Sequence, residues 1–100
     1  MTLNLNKKEN EAKIEIIGRL DTVTAPALDK MIAEELDGVT ALTLDMNALE
    51  YISSAGLRVL LSAQKKMQKI GSMKLVGVCD GIMEVLEMTG FTDILTIEKQ

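Results

Sequence analysis

The spacing of apolar residues constrains this chain most: runs with a period of two alternate along it with runs spaced by three and four. Leu3 and Leu5 are separated by polar neighbours, and Lys7-Lys8-Glu9-Asn10 makes a polar turn. Ile14 and Ile16 then alternate with Lys13 and Glu15 before Gly18. Such alternation predicts a hairpin with one wet face. Leu28, Met31, Ile32 and Leu36 recur at helical spacing, and Gly38 supplies the stop. Thr24 is placed as N-cap of this helix, Val23 and Leu28 fall at the two positions of a hydrophobic staple, and Pro26 lies in the tolerant first turn. Leu42, Leu44 and Met46 return to a period of two, with Thr43 and Asp45 on the other face. A second helix from about Ser54 to Ile70 carries Leu57, Leu60, Ala63, Met67 and Ile70 at intervals of three and four, and Gly71 ends it. Met73 to Val78 is a further strand, and Asp80 is placed to cap a third helix through Met88. Gly90 suits the left-handed position beyond it, letting Phe91 fold back on Leu86. A last strand is expected over about Ile94 to Ile97.

The order is therefore β-β-α-β-α-β-α-β, an α/β fold in one domain over residues 1–100. Parallel neighbours joined through helices follow from that order. Because the strands alternate rather than being apolar throughout, a mixed sheet is expected with its helices mainly on one face and water on the other. A chain of 100 residues buries roughly two thirds of its unfolded surface, enough for a core without staples. The seven methionines read mainly as core filler.

Composition removes several classes of function. A net charge of -4 argues against nucleic acid, whose phosphates demand clustered cations. With Tyr51 and Phe91 as the aromatics, no stacking platform for single strands exists. There is no histidine, which excludes Ser-His-Asp and Cys-His machinery and histidine metal sites. The single cysteine, Cys79, stands in an apolar run and reads as a buried, inert thiol. No glycine-rich phosphate loop is present and no buried carboxylate pair suggests itself, so no cofactor and no metal is expected. The N-terminus lacks an apolar signal region, and no run approaches the roughly 18 apolar residues of a membrane span. A soluble, cytoplasmic protein with no direct membrane insertion is expected. The Lys65-Lys66-Met67-Gln68-Lys69 cluster reads as a solvated complement to the end of the second helix.

Two adjacent serines interrupt LEYISSAGLRVLL, residues 49–61, where an apolar run becomes a helix. With Ser53 as N-cap, Ile52 and Leu57 fall at the two staple positions; with Ser54 as N-cap those positions become Ser53 and Arg58. Ser53 is therefore the better cap, and Ser54 becomes the first helical residue with its hydroxyl free. Ser54 stands at the positive end of a helix, on the carboxyl side of a strand, and a phosphate there is tolerated. Ala55 and Gly56 are small enough for close approach by a partner. Two readings stand on these residues alone: both serines merely start a helix, or Ser54 is a working group. The run GRLDTVTAPAL from Gly18 reads as a surface loop in which Asp21 begins a turn through its own side chain. If it shares an edge with the serines, Asp21, Thr22 and Val23 become partner contacts.

GRLDTVTAP and LTLDMNALEYISSAGLRVLL resemble the STAS family, and within it bacterial anti-sigma-factor antagonists. The most specific part is ISSAGLR with the upstream L-D-x-x-x-L spacing, and the likeness runs over nearly the whole chain. The resemblance implies a STAS-like domain that binds an anti-sigma serine kinase when unphosphorylated, so releasing a sigma factor. It implies release of the domain on phosphorylation at Ser54 and resetting by a PP2C-type phosphatase. Several relatives carry Asp at the place of Ser53 and Ser at that of Ala55. Asp is also a good N-cap, in agreement with the staple argument, but Ser53 here becomes an alternative phosphoacceptor. The C-terminal helix of some relatives is not expected. The implied contact surface comprises Asp21, Thr22, Val23, Ser53, Ser54, Ala55, Gly56 and Arg58. The alternative is a STAS-like accessory subunit of an ABC-type membrane transporter without a kinase switch. An enzyme has little support, because Ser54 as nucleophile would have only a lysine or carboxylate as base.

Overall fold

A computed structural model describes residues 1–98. Strands β1 (Thr2–Lys8) and β2 (Glu11–Leu20) form the hairpin, paired from Thr2 with Ile17 to Lys8 with Glu11. The chain continues through α1 (Ala25–Glu35), β3 (Ala41–Asp45), β4 (Leu49–Ile52), α2 (Ser54–Ile70), β5 (Ser72–Val76) and α3 (Asp80–Met88). A 3-10 turn (Phe91–Asp93) and β6 (Ile97–Glu98) follow. The expected order is realised, with β4 as one short addition between β3 and α2.

The sheet runs β1-β2-β3-β5-β6, antiparallel at the hairpin and parallel elsewhere, and β4 lies off that path against β2. The ten residues of β2 carry two parallel partners in succession. Glu11 to Glu15 pair with Ala41 to Asp45 of β3, and Gly18 to Leu20 pair with Leu49 to Ile52 of β4. Between these ladders the register shifts at Gly18, whose φ of 100° belongs to the left-handed half of backbone space that glycine enters without strain. Its N–H donates to the Ala48 carbonyl at 2.9 Å, stitching the β3–β4 connection onto β2.

Inward residues of the strands (Ile14, Ile16, Leu44 and Leu75 among them) and the buried faces of all three helices join a single apolar cluster. The opposite sheet face is polar. Asn4 donates to Glu15 at 2.9 Å, and the Lys13 ammonium stands 3.4 Å from Asp45. Alternation therefore separates a covered face from a wet one, as a period of two requires.

Details differ from the sequence-based expectation at six places, the first being Ile70, which is 46% exposed at the last turn of α2 rather than on its apolar face. Thr24 already has helical backbone angles and makes no side-chain cap bond; its hydroxyl instead donates to the Arg19 carbonyl at 2.7 Å. Val23 is 86% exposed while Leu28 is fully buried, so no staple joins them. Asp80 is the first helical residue of α3, one place inside its cap, and the cap position belongs to Cys79. That cysteine is exposed rather than buried, because β5 ends at Val76 and Gly77 turns the chain out of the sheet with φ of 70°. The last strand begins at Ile97, since the N–H groups of Ile94 and Leu95 still bond back to the Phe91 carbonyl. Gly90 does take the left-handed conformation. Among the described residues no helix is long and apolar enough to cross a membrane.

Helix α2 can turn into β5 only because residue 71 lacks a side chain. A Cβ on Gly71 would strike the carbonyl of Thr40, the same carbonyl that accepts from Ser72 N–H at 2.8 Å. Gly81 in α3 faces open space. In urea unfolding, Gly71→Ala should cost about 1–3 kcal/mol, the usual penalty of forcing atoms into a packed site. Gly81→Ala should instead stabilise by about 0.4–1 kcal/mol through the unfolded chain.

Candidate functional site

Two chain segments leave the sheet side by side at the carboxyl ends of β2 and β4. Leu20 is paired with Ile52, and the Ser53 N–H donates to the Leu20 carbonyl at 2.9 Å. The loop beginning at Asp21 and the start of α2 thus share one edge of the molecule.

Asp21 organises the first segment. Its Oδ1 accepts from the backbone N–H groups of Val23 and Thr24, each at 3.1 Å, while its own N–H donates to the Thr24 hydroxyl at 2.9 Å. The Asp21 carbonyl accepts from Ala25 N–H at 2.8 Å and so starts α1. The turn led by the Asp21 side chain is the one its residue type predicts. The backbone N–H of Thr24 is the main cause holding the Asp21 carboxyl below its usual range; the Thr24 hydroxyl, Val23 N–H and Arg19 act in the same direction. Asp21 therefore stays anionic at neutral pH.

The second segment separates the duties of the serines. Ser53 has extended backbone angles and is the N-cap of α2, its hydroxyl accepting from Gly56 N–H at 3.5 Å. Ile52 and Leu57 are both buried in the core, where a staple places them. Ser54 is the first helical residue and is exposed. Its hydroxyl makes no hydrogen bond among the described residues. Ala55 is half-buried, and Arg58 is exposed one turn further on. Gly56 is a correction to its expected place among surface contacts. It is buried, and a Cβ there would lie 2.8 Å from side-chain atoms of both Leu20 and Ile52. Its smallness lets α2 close onto β2 and β4 rather than admitting a partner.

Sequence reasoning passed over two residues of this edge. Parallel pairing sets Arg19 opposite Tyr51, and the guanidinium carbon lies 4.2 Å from the ring centroid, a cation–π contact. The Arg19 Nε also stands 3.9 Å from Asp21 Oδ2. Tyr51 is 41% exposed and Val23 86% exposed, so both present apolar surface on the segments that meet at this edge. One of only two aromatics in the chain, placed three residues before Ser54, was the available signal.

The turn that leads from β3 into β4 is fixed by Asp45, which is 8% exposed. Its Oδ1 accepts from Asn47 N–H at 3.0 Å and from the Asn47 amide at 2.7 Å, and Lys13 faces its Oδ2. Asn47 in turn lies against Gly77, where no Cβ would fit. This sets the turn from β3 into β4. Burial pushes the Asp45 carboxyl up, but the two Asn47 donors and Lys13 outweigh it and hold the group below its ordinary value.

A polar cavity of about 550 Å³, lined by Asn47, Gly77, Cys79, Asp80 and neighbouring side chains, includes none of Asp21, Ser53, Ser54 or Arg58. Ser54 is exposed and lies outside that cavity, which suits a macromolecular partner better than a small ligand, which needs concavity. Among the described residues no cluster of three carboxylate or cysteine side chains could hold a metal.

The STAS domain model matches residues 2–100, and the chain belongs to that family. It is 29% identical to the anti-sigma-B factor antagonist of Bacillus subtilis over 103 aligned residues, covering 100% of this chain and 94% of that protein. The crystal structure of an anti-sigma factor antagonist from Mycobacterium paratuberculosis is similar with a TM-score of 0.85 at 27% identity, over 96% of this chain and 83% of that one. The Bacillus cell fate determinant SpoIIAA in its phosphorylated form shares the fold at 16% identity with a TM-score of 0.77, over 97% of this chain and 91% of that one.

Two outcomes follow from the site's construction. Ser53→Ala should cost about 0.5–2 kcal/mol in urea unfolding, whereas Ser53→Asp, which restores a capping oxygen, should not. Asp45 has a depressed folded pKa, so its contribution is complete above the ordinary value near 4 and is lost as pH falls through the lower folded value. Stability of the parent protein should therefore fall more steeply between about pH 5 and pH 2 than that of Asp45→Asn, measured by urea unfolding at each pH.

Proposed function

We propose that this chain is an anti-sigma-factor antagonist, a cytoplasmic binding module switched by phosphorylation of Ser54. The observation that carries this reading is the division between the serines: Ser53 is committed to its cap, while Ser54 is exposed with an uncommitted hydroxyl. Unphosphorylated, the edge formed by Asp21, Thr22, Val23, Ser53, Ser54, Ala55 and Arg58 docks on an anti-sigma serine kinase, and the sigma factor is freed. Tyr51 joins that contact surface. Gly56 acts from beneath it.

The phosphoryl transfer is the kinase's chemistry. Ser54 Oγ attacks the γ-phosphorus of ATP, the new O–P bond forms as the bond to the ADP oxygen breaks, and the hydroxyl proton passes to a base on the kinase. A PP2C-type phosphatase then adds water across the ester and restores the hydroxyl. The ester places about -1.5 to -2 charges on the contact surface. A thousandfold loss of affinity corresponds to about 4 kcal/mol, within the cost of leaving a buried interfacial charge without its partner. The fold does not oppose the modification, because Ser54 is exposed at the first position of α2.

Incubation with the cognate kinase and ATP, followed by mass spectrometry, should label Ser54. Label on Ser53 alone overturns the assignment, and no label at all removes the switch. Ser54→Asp should retain the parent's unfolding transition while its affinity for the kinase, measured by calorimetry, falls at least tenfold.

A further inference from the structure

Arg58 is the second uncommitted group on the serine edge. It follows Ser54 by four residues in α2, which sets the two on one helix face with Cβ atoms about 5–6 Å apart. Helical side chains lean toward the N-terminus, so the long Arg58 stem extends back over the turn that Ser54 begins. Both residues are exposed. Among the described residues the ion pairs involve Lys13, Arg19 and Lys74, and none involves Arg58. The other cation of this edge, Arg19, is occupied by the Tyr51 ring and by Asp21. In a chain with 15 acidic and 11 basic residues, a guanidinium without a carboxylate partner is a free recognition group.

We propose that Arg58 is the intramolecular receptor for the Ser54 phosphate, closing a phosphoserine–arginine pair across one turn of α2. The proposal rests on the phosphoswitch reading and adds the residue that holds the modified state. A guanidinium offers paired donors that match phosphate oxygens. Before phosphorylation Arg58 is open to a partner; afterwards it is turned onto its own helix, so one modification both adds charge and withdraws a cation. Arg19 is held by Asp21 and the Tyr51 ring, and Arg58 supplies the compensating charge.

The pair is testable without any kinase by inserting phosphoserine at position 54 during translation and following the second phosphate ionisation by 31P NMR. Pairing favours the dianion, so the midpoint in the parent protein should lie about 0.3 pH below that of Arg58→Gln, the displacement equivalent to a helical ion pair. Arg58→Lys, which keeps the charge, should stay nearer the parent, and the gap to Arg58→Gln should close at about 1 M salt, where screening reaches about 3 Å. Equal midpoints in the parent and Arg58→Gln, or a lower one in Arg58→Gln, would overturn the pairing. Failure of a kinase to label Ser54 would remove the switch and leave this titration unaffected, so the two failures are distinguishable.

Discussion

Strand β2 is paired twice on the same side, first by β3 and then by β4, and the functional edge exists because of that succession. Glu11 to Glu15 hold β3, and Gly18 to Leu20 hold β4 after the register shift. Were β3 to continue along β2, no second strand could enter there and no helix could start beside Leu20. The Asp45 carboxylate ends β3 by drawing Asn47 N–H back onto itself at 3.0 Å, and Gly18 accepts the resulting offset. Two local devices, a buried carboxylate and a glycine with positive φ, thus bring residues more than thirty positions apart in sequence to adjoining loops.

The site built on this support uses its polar groups unequally. At the Asp21 loop the Asp21 carboxylate and the Thr24 hydroxyl tie the backbone to itself, so the loop presents a fixed shape to whatever meets it. Ser53 is likewise engaged, though its cap bond of 3.5 Å is long. Ser54 and Arg58 stand apart from this economy as polar groups left to the outside. A surface prepared in this way can bind with little ordering cost, because the loop and helix terminus are already set. It can also be rewritten at one position without disturbing the others.

Much of this was legible in the sequence, and what was not legible has identifiable causes. The long strands and helices follow from apolar spacing, since their buried residues repeat at the period of their own backbone. Strand β4 was not counted because it is four residues long with Leu49 and Ile52 buried and Glu50 and Tyr51 exposed, a spacing that carries no period of two. Its partner lies in register with it only through a bulge that no local pattern announces. For the same reason the Arg19–Tyr51 contact was invisible: it is a property of the β2–β4 register, not of either segment. The Ser53 cap was readable because the staple of Ile52 and Leu57 depends on spacing within one helix turn. The staple assigned to Val23 failed because Asp21 had already taken over the capping of that loop, freeing Val23 to point outward. Cys79 was misplaced because an apolar run continues in sequence past the point where Gly77 takes the chain out of the sheet.

The separation of fold from switch follows from where the free energy lies. The stabilising cluster is formed between the sheet and the inner faces of the helices, whereas Ser54 lies on the outer side of the first turn of α2. Its neighbours in the core, Gly56 and Leu57, face the other way and hold the helix terminus against Leu20 and Ile52. A charge added at Ser54 meets water, helix N–H groups and a nearby guanidinium, all of which favour an anion. The same charge meets a docked protein as a desolvation problem. One modification is therefore mild for the isolated domain and severe for a complex, and that asymmetry is set by the position of a single hydroxyl one residue beyond the cap.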